Sequence, residues 1–143
     1  MSYKAAAKMK PILCILELSA DEALSAGDPI GWSVQDGTSS HGVSVSSGVI
    51  TLPSGHHWFA QVQAVPTTLS ALDVDWYIGG SASTTFSKTG ISLITSPTTS
   101  ASNVVGHCYI DASSSSVDLE SRVNAALTID ASFSFVFLIG YPS

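Results

Sequence analysis

Residues 48–65 read GVITLPSGHHWFAQVQAV and carry the strongest structural signal in the sequence. Pro53 and Gly55 predict a tight corner, because proline presets one backbone angle and glycine tolerates left-handed conformations. After the corner, small or apolar residues occupy every second position: Trp58, Ala60, Val62 and Ala64. Since side chains alternate across a strand, the segment predicts two strands joined by a corner, with one buried face and one solvated face.

Similar short runs recur along the chain between turn signals. We expect further strands at 12–18, 28–34, 43–45, 72–78, 91–95, 104–110, 117–129 and 133–141. Residues 117–129 alternate most clearly and are predicted as one strand, whereas 133–141 is apolar on both faces, as in a central strand or a subunit contact. In residues 19–27, the spacing of Ser19 and Glu22 instead predicts one helical turn. About ten short strands without a long helix predict an all-β fold, an antiparallel jelly-roll β-sandwich.

The chain of 143 residues has the length of one domain. We divide it into a flexible basic N-terminal arm at 1–10 and a single jelly-roll domain at 11–143. Only 11% of the residues are charged, and the formal net charge is −6. A surface with few charges is easily desolvated, which suits permanent contact with copies or partners. The alternative interpretation of this composition is a soluble Ser/Thr-rich sandwich that makes no such contacts.

The basic residues are concentrated in the arm. Three of the five, Lys4, Lys8 and Lys10, lie in the first ten positions, which leaves 2 basic residues against 11 acidic ones elsewhere. The acidic body argues against nucleic acid as a partner, because phosphate binding needs a basic face. The arm either contacts an acidic protein surface or is a frayed terminus. No apolar run reaches the ~20 residues of a membrane-spanning helix, so we expect no membrane partner.

The reactive residues lack the spacing of known sites. Cys14 and Cys108 are expected to be buried free thiols, because two cysteines do not make a disulfide framework. The histidines and Cys108 lack paired ligand spacing, so we predict no metal site. Asp73 and Asp75 would project from one face of a regular strand, which indicates a solvated face or, as the alternative, a subunit contact. No nucleophile elbow or phosphate loop is present, so we expect no enzyme activity, no catalytic residue and no cofactor.

Three segments together resemble a known family of jelly rolls. Residues 48–65 are similar to the strand–corner–strand unit of the tumour necrosis factor-like and complement globular-head proteins. Residues 71–80 are similar to the family strand that ends in a tight turn, and 133–143 to the aromatic-rich closing strand. The chain is particularly similar to the short versions found in bacteriophage structural proteins.

This resemblance implies a ten-stranded jelly roll that assembles as a compact homotrimer, with aromatic residues of the inner sheet near the threefold axis. The trimer contacts that it implies are Phe133, Phe135, Phe137, Tyr141 and Trp58. Such contacts would account for a last strand that is apolar on both faces. They would also account for the solubility of a protein with few charges, because part of its surface is hidden.

The resemblance and the composition together predict a virion structural protein, a capsid decoration or cement trimer that binds and stabilises a phage shell. Its partners would be its own copies and the major capsid protein, on the capsid exterior, after synthesis in the host cytoplasm. The predicted shell contacts are Lys4, Lys8 and Lys10. The alternative is a receptor- or glycan-binding head of a phage fibre or adhesin. A secreted cytokine-like ligand ranks lower, because the apolar run at 12–18 contains Glu17 and does not read as a secretory signal.

Overall fold

The structure of the protein is a computed structural model that describes residues 10–68, 74–82 and 104–143. Within these ranges the chain forms twelve short β-strands and no helix. The strands are β1 (Ile12–Glu17), β2 (Glu22–Leu24), β3 (Ser33–Val34), β4 (Ser44–Ser46), β5 (Val49–Leu52), β6 (His56–Ala64), β7 (Val74–Ile78), β8 (Ser81–Ala82), β9 (Val104–Ala112), β10 (Val117–Val123), β11 (Leu127–Ile129) and β12 (Phe135–Pro142). The prediction of an all-β chain of short strands is confirmed.

The strands form two five-stranded antiparallel sheets and one small sheet. Sheet I has the order β3-β1-β12-β6-β9, and sheet II has the order β4-β5-β10-β7-β8. The small sheet pairs β2 with β11. Most neighbours in the sheets are distant in sequence, so the chain crosses repeatedly between the two layers, as it does in a jelly roll. The predicted antiparallel jelly-roll sandwich is therefore the observed fold.

The segment at 48–65 is one of these crossings. β5 belongs to sheet II and β6 to sheet I, so the corner between them carries the chain from one layer to the other. Gly55 adopts a left-handed φ of 86° there, and its N–H donates to the carbonyl of Ala112 at 2.8 Å. The indole N–H of Trp58 donates to the carbonyl of Pro53 at 3.2 Å. These contacts fix the corner that Pro53 and Gly55 predicted.

The hydrophobic core lies between the two large sheets. Alternation along β6 is complete, because Trp58, Ala60, Val62 and Ala64 are all fully buried. The largest buried side chains from the other strands and loops are Leu16, Ile30, Ile50, Leu52, Trp76, Ile110, Leu119, Ile129 and Leu138. Each buried aliphatic side chain contributes about 1.5–3 kcal/mol relative to an exposed one. The core therefore draws on both sheets and on the loops between them.

The two cysteines are buried and free, as predicted. Both lie on the core side of sheet I in one cross-strand row, where Leu138 and Ala60 separate Cys14 from Cys108. Three strand spacings amount to ~14 Å, whereas a disulfide needs Cα atoms within about 7 Å. Burial raises the pKa of Cys14 to about 11 and the pKa of Cys108 to about 12. The thiols are therefore protonated at neutral pH and cannot bridge.

The predicted helical turn at 19–27 is wrong. The chain there forms β2, in which Glu22 pairs with Ile129 of β11. The Glu22 carboxylate accepts the backbone N–H of Gly31 at 2.8 Å, a residue nine positions ahead. A capping box would need that carboxylate to reach back to Ser19. The non-local hydrogen bond therefore replaces the local one that the spacing suggested.

The prediction of one strand over 117–129 is also wrong. The chain forms β10 in sheet II, leaves the strand after Val123, and resumes as β11 in the small sheet. The N–H of Val123 donates to the carbonyl of Asp28, and the carbonyl of Val123 accepts from Gly27. These bonds to the 27–28 segment end the pairing within sheet II. Alternation continues across the break, so the sequence does not reveal it.

Several predictions fall on residues that the structure does not describe. The strand expected at 91–95 and the aspartate Asp73 lie outside the described ranges. Lys4 and Lys8 of the arm lie outside them as well, whereas Lys10 is described and exposed just before β1.

Candidate functional site

The outward surface of sheet I carries an unusual set of side chains for a solvated sheet. We call this surface the aromatic face. It comprises Leu13 and Ile15 of β1, Phe135, Phe137, Ile139 and Tyr141 of β12, His57, Phe59, Gln61 and Gln63 of β6, and His107, Tyr109 and Asp111 of β9. Leu13, Tyr109 and Tyr141 are each about half exposed, at 48%, 52% and 50%. One-sided antiparallel sheets normally present polar residues to water, so this surface calls for an explanation.

Strand register aligns these side chains in rows across four strands. One row is Leu13, Ile139, Phe59 and Tyr109, and the next is Ile15, Phe137, Gln61 and His107. A shallow groove of about 240 Å³ runs over Leu13, Phe59, Gln61, Phe137 and Ile139. Contiguous apolar patches of this kind mark interaction surfaces more often than scattered exposed residues do. The aromatic face is therefore the candidate functional site.

The face divides into an apolar half and a polar half. β1 and β12 contribute aliphatic and phenylalanine side chains together with Tyr141, and the rings of Phe135 and Phe137 lie 4.6 Å apart between centroids. Apart from Phe59, β6 and β9 contribute histidine, glutamine, tyrosine and aspartate. Because the halves differ chemically, a second copy of the chain that covers this face would make different contacts with each half.

One end of the polar half holds a compact cluster. The hydroxyl of Tyr109 and Nδ1 of His57 lie 2.6 Å apart, and the two rings stack with centroids 5.8 Å apart. The same Nδ1 lies 3.6 Å from Oδ1 of Asp111. Hydrogen bonds from Ser113 lower the pKa of Asp111, and the charge of His57 lowers it further. A protonated His57 therefore has a carboxylate beside it.

His107 has a different environment on the same half. Its ring stacks on Phe59 with centroids 5.6 Å apart, and Gln61 lies opposite it on β6. The ion pairs within the described ranges involve His57 and Arg122, and none involves His107. The two histidines of the aromatic face thus differ in whether a carboxylate accompanies them.

The structure brings three predicted contact residues together and separates two others. Phe135, Phe137 and Tyr141 share the aromatic face. Phe133 lies in the turn before β12, where it is 61% exposed. Trp58 is fully buried between the sheets, so it cannot touch another subunit and leaves the set of predicted contacts. The reason is alternation, since Trp58 shares the core side of β6 with Ala60 and Val62.

Other residues of the face were missed from the sequence. Leu13, Phe59 and Ile139 join Phe137 in the groove only because β1, β12 and β6 are neighbours in sheet I. Phe59 carried a usable signal, because it stands on the predicted solvated side of its strand, where a phenylalanine is out of place. No comparable signal pairs Leu13 with Ile139, since 126 positions of chain separate them.

Most carboxylates in the described part of the chain accept hydrogen bonds from the backbone and so stabilise loops. Backbone N–H groups donate to Glu17, Asp21, Glu22, Asp28, Asp111 and Asp130. A polar cavity of about 450 Å³ is lined by Glu22, Asp28 and Trp32 among others, and both of its carboxylates already accept such bonds. These groups stabilise turns, as side-chain oxygens of aspartate commonly do.

No group of three or more metal-ligating side chains is found within 10–68, 74–82 and 104–143. In the same ranges no helix is long and apolar enough to cross a membrane. Asp75, for which a solvated strand face was predicted, lies half-buried on the outward side of sheet II, opposite Arg122 in the register.

Comparison with known proteins relates this chain by fold. No family model matches the sequence, and no curated protein is similar to it in sequence. The fold is similar to that of Eiger TNF from S. frugiperda, with 13% identity, a TM-score of 0.58, and coverage of 90% of this chain and 91% of that chain. It is also similar to murine APRIL at pH 8.5, with 12% identity, a TM-score of 0.55, and coverage of 91% and 98%. The fold is therefore a tumour necrosis factor-like jelly roll. The predicted similarity to the jelly rolls of bacteriophage structural proteins stays a prediction.

Proposed function

We propose that this protein is a non-enzymatic homotrimer that assembles through the aromatic face and decorates a larger particle as a structural subunit. The observation that carries the proposal is the partly exposed row Leu13, Ile139, Phe59 and Tyr109 on sheet I, with Phe137 of the next row beside it. Self-association buries this row and leaves sheet II outside. The protein then acts through the outer surface of the trimer.

Hydrophobic burial supports self-association through this face. Leu13 and Tyr141 expose about half of their surface in the isolated subunit, and the groove beside them is almost entirely apolar. Removing apolar surface from water is favourable by roughly 25 cal/mol per Å². A neighbouring copy that covers this surface removes it from water.

Threefold closure is supported by the asymmetry of the face together with the resemblance to tumour necrosis factor-like jelly rolls. A twofold contact would place each patch against itself, whereas a cyclic trimer places two different patches together and closes as a ring. The apolar half on β1 and β12 and the polar half on β6 and β9 supply two such patches. The resemblance implies that the inner sheet of each subunit faces the axis, and sheet I has the required side chains.

Decoration of a phage shell is the specific role that we propose for the trimer. Its low content of charged residues, 11%, suits a large permanent contact with the major capsid protein. The basic arm, with Lys4, Lys8 and Lys10, would contact acidic surfaces of the shell. The protein would then lie on the exterior of the virion.

The first experiment measures the solution mass of the purified protein by light scattering after size exclusion. We expect a mass near three times the subunit mass of 14.8 kDa. Leu13→Asp places a charge in the row at an exposed position, so the subunit should fold and remain a monomer. Ser46→Asp adds the same charge on an exposed residue of sheet II and is the matched control. A monomeric wild type, or a trimeric Leu13→Asp, would contradict assembly through this face.

A second experiment tests the role of the trimer. The protein is added to isolated shells of the virus that encodes it, and occupancy and heat resistance are measured. We expect binding at one copy per lattice site and shells that withstand higher temperature. Deletion of residues 1–10 should lower occupancy and leave the trimer intact, and unchanged occupancy would contradict the role of the arm. Binding to cells or glycans, with inhibition of infection, would instead identify a receptor-binding head.

A further inference from the structure

The two histidines of the aromatic face respond differently to acid because their neighbours differ. His57 faces Tyr109 and Asp111 on β9 and Tyr141 on β12. Its Nδ1 is 2.6 Å from the Tyr109 hydroxyl and 3.6 Å from the Asp111 carboxylate. A proton gained by His57 therefore forms an ion pair within the same subunit.

From the elements of the subunit that the structure describes, His107 gains no such compensation. Among the described strands of sheet I, β9 comes last and pairs with β6. From β6, His107 meets Phe59 and the neutral Gln61, and along β9 its neighbour on the same face is Tyr109. The described carboxylates on the outward side of sheet I are Asp111, which pairs with His57, and Glu17 on β1. Within the described part of one subunit, neither forms an ion pair with His107.

We propose that protonation of His107 opposes self-association, so that mild acid dissociates the trimer while His57 has no comparable effect. This inference rests on the proposed assembly through the aromatic face. Assembly removes the His107 imidazole from water, and a charged group without a partner is costly to desolvate. Free subunits therefore bind more protons than the trimer does, and acidification shifts the equilibrium towards free subunits.

The general charge of the protein works in the opposite direction. The formal net charge is −6 at pH 7 and the isoelectric point is near 4.8, so acidification reduces repulsion between subunits. Repulsion alone therefore predicts tighter assembly in acid. Dissociation between about pH 7.5 and 5.5 would identify a specific group that charges in this interval, and histidine is the side chain with that property.

The test measures mass by light scattering across a concentration series at pH 7.5 and at pH 5.5. Wild type, His107→Gln and His57→Gln are compared, and tryptophan fluorescence reports folding. We expect the subunit concentration for half-assembly to rise about tenfold or more on acidification for wild type, because each subunit must release a proton to assemble. His57→Gln should keep this shift. His107→Gln should lose most of it and remain trimeric at both pH values.

The outcomes separate this inference from the function on which it rests. A wild type that is monomeric at pH 7.5 overturns the proposed assembly itself. A wild-type trimer whose half-assembly concentration is unchanged at pH 5.5 overturns only the role of His107. The role of His107 is also overturned if the full shift persists in His107→Gln. It is likewise overturned if wild type and His107→Gln both lose their folded structure at pH 5.5.

Discussion

Two buried hydroxyl groups show how single residues satisfy particular buried donors of this core. Ser121 is fully buried, and its Oγ accepts the indole N–H of Trp32 at 2.8 Å. Ser134 is 3% exposed, and its Oγ accepts the N–H of Val65 at 3.0 Å. Both bonds join segments that are distant in sequence. Each serine therefore serves as an acceptor for a donor that has no water available.

Ser121→Ala is expected to lower the free energy of unfolding by about 1–3 kcal/mol, because it leaves the Trp32 indole N–H buried without an acceptor. Urea unfolding at one fixed subunit concentration measures the change. Ser115→Ala, in an exposed loop, is the matched control and should change stability little. Equal losses from the two variants would show that the buried bond contributes nothing specific.

The cysteines provide a second prediction at the residue scale. Burial raises the pKa values of Cys14 and Cys108 from an ordinary value of 9.0 to about 11 and about 12. At pH 8 neither thiol should react with a disulfide reagent in the folded protein, and both should react in urea. A folded protein that reacts as fast as the unfolded one would contradict their burial.

The same shifts set the sign of a pH effect on stability. Because the folded thiols hold their protons to higher pH than unfolded ones, their effect on stability is constant below pH 9. Above pH 9 the unfolded chain loses protons first, so stability should fall as pH rises towards 11 and 12. The double variant Cys14→Ala/Cys108→Ala should show a shallower decline in urea unfolding at these pH values. An identical decline would assign the effect to other groups.

At the scale of elements, β12 is the central strand of sheet I and packs on both of its faces. It lies third of five, pairing with β1 on one side and β6 on the other. Its core side carries Val136 and Leu138, and its outward side carries residues of the aromatic face. Gly140 stands where the ring of Trp58 crosses the strand. A strand used on both faces has little tolerance for added volume.

Gly140→Ala tests this packing. An added Cβ would lie 2.8 Å from Cζ3 of Trp58 and 3.0 Å from Cγ1 of Ile12. Trp58 is fully buried, so we expect a loss of about 1–3 kcal/mol in the free energy of unfolding. The loss should shrink when Gly140→Ala is made in a Trp58→Phe background, because the smaller ring frees space. Additive losses in the double variant would show that the two sites do not interact.

At the scale of the whole molecule, the two sheets have different outward surfaces. Sheet I presents the aromatic face, whereas sheet II presents a polar surface on which Arg122 pairs with Glu120 at 2.7 Å and lies over the ring of Tyr77. The proposed trimer buries the first surface and exposes the second. Stability and assembly are then coupled, since subunits that associate only when folded stabilise the folded state.

This coupling predicts that thermal unfolding depends on protein concentration. The midpoint of wild type should rise as subunit concentration rises, because association favours the folded state. The midpoint of Leu13→Asp should be independent of concentration, and that of Ser46→Asp should follow wild type. Scanning calorimetry over a hundredfold range of concentration measures the difference. A wild-type midpoint that does not move would contradict coupled assembly.

Local sequence was sufficient to predict most strands and the fold class. The unit at 48–65 combines alternation with a Pro–Gly corner, and both signals depend on residues that are close together in the chain. The same holds for the alternation in 104–110, which correctly placed His107 and Tyr109 on one face and Cys108 and Ile110 on the other. Local signals fail where a distant partner intervenes, as Gly31 does for Glu22 and as the 27–28 segment does after Val123.

Pairing between strands that are distant in sequence determined the features that local sequence did not predict. The groove needs Leu13 beside Ile139, the acidic partner of His57 comes from 54 positions away, and the separation of the cysteines depends on two intervening strands. Alternation tells which residues share a side of one strand. It carries no information on which strands are neighbours, because a pairing between distant segments is chosen by the packing of the whole core. The sequence therefore predicts the strands, and the tertiary structure assembles the site from them.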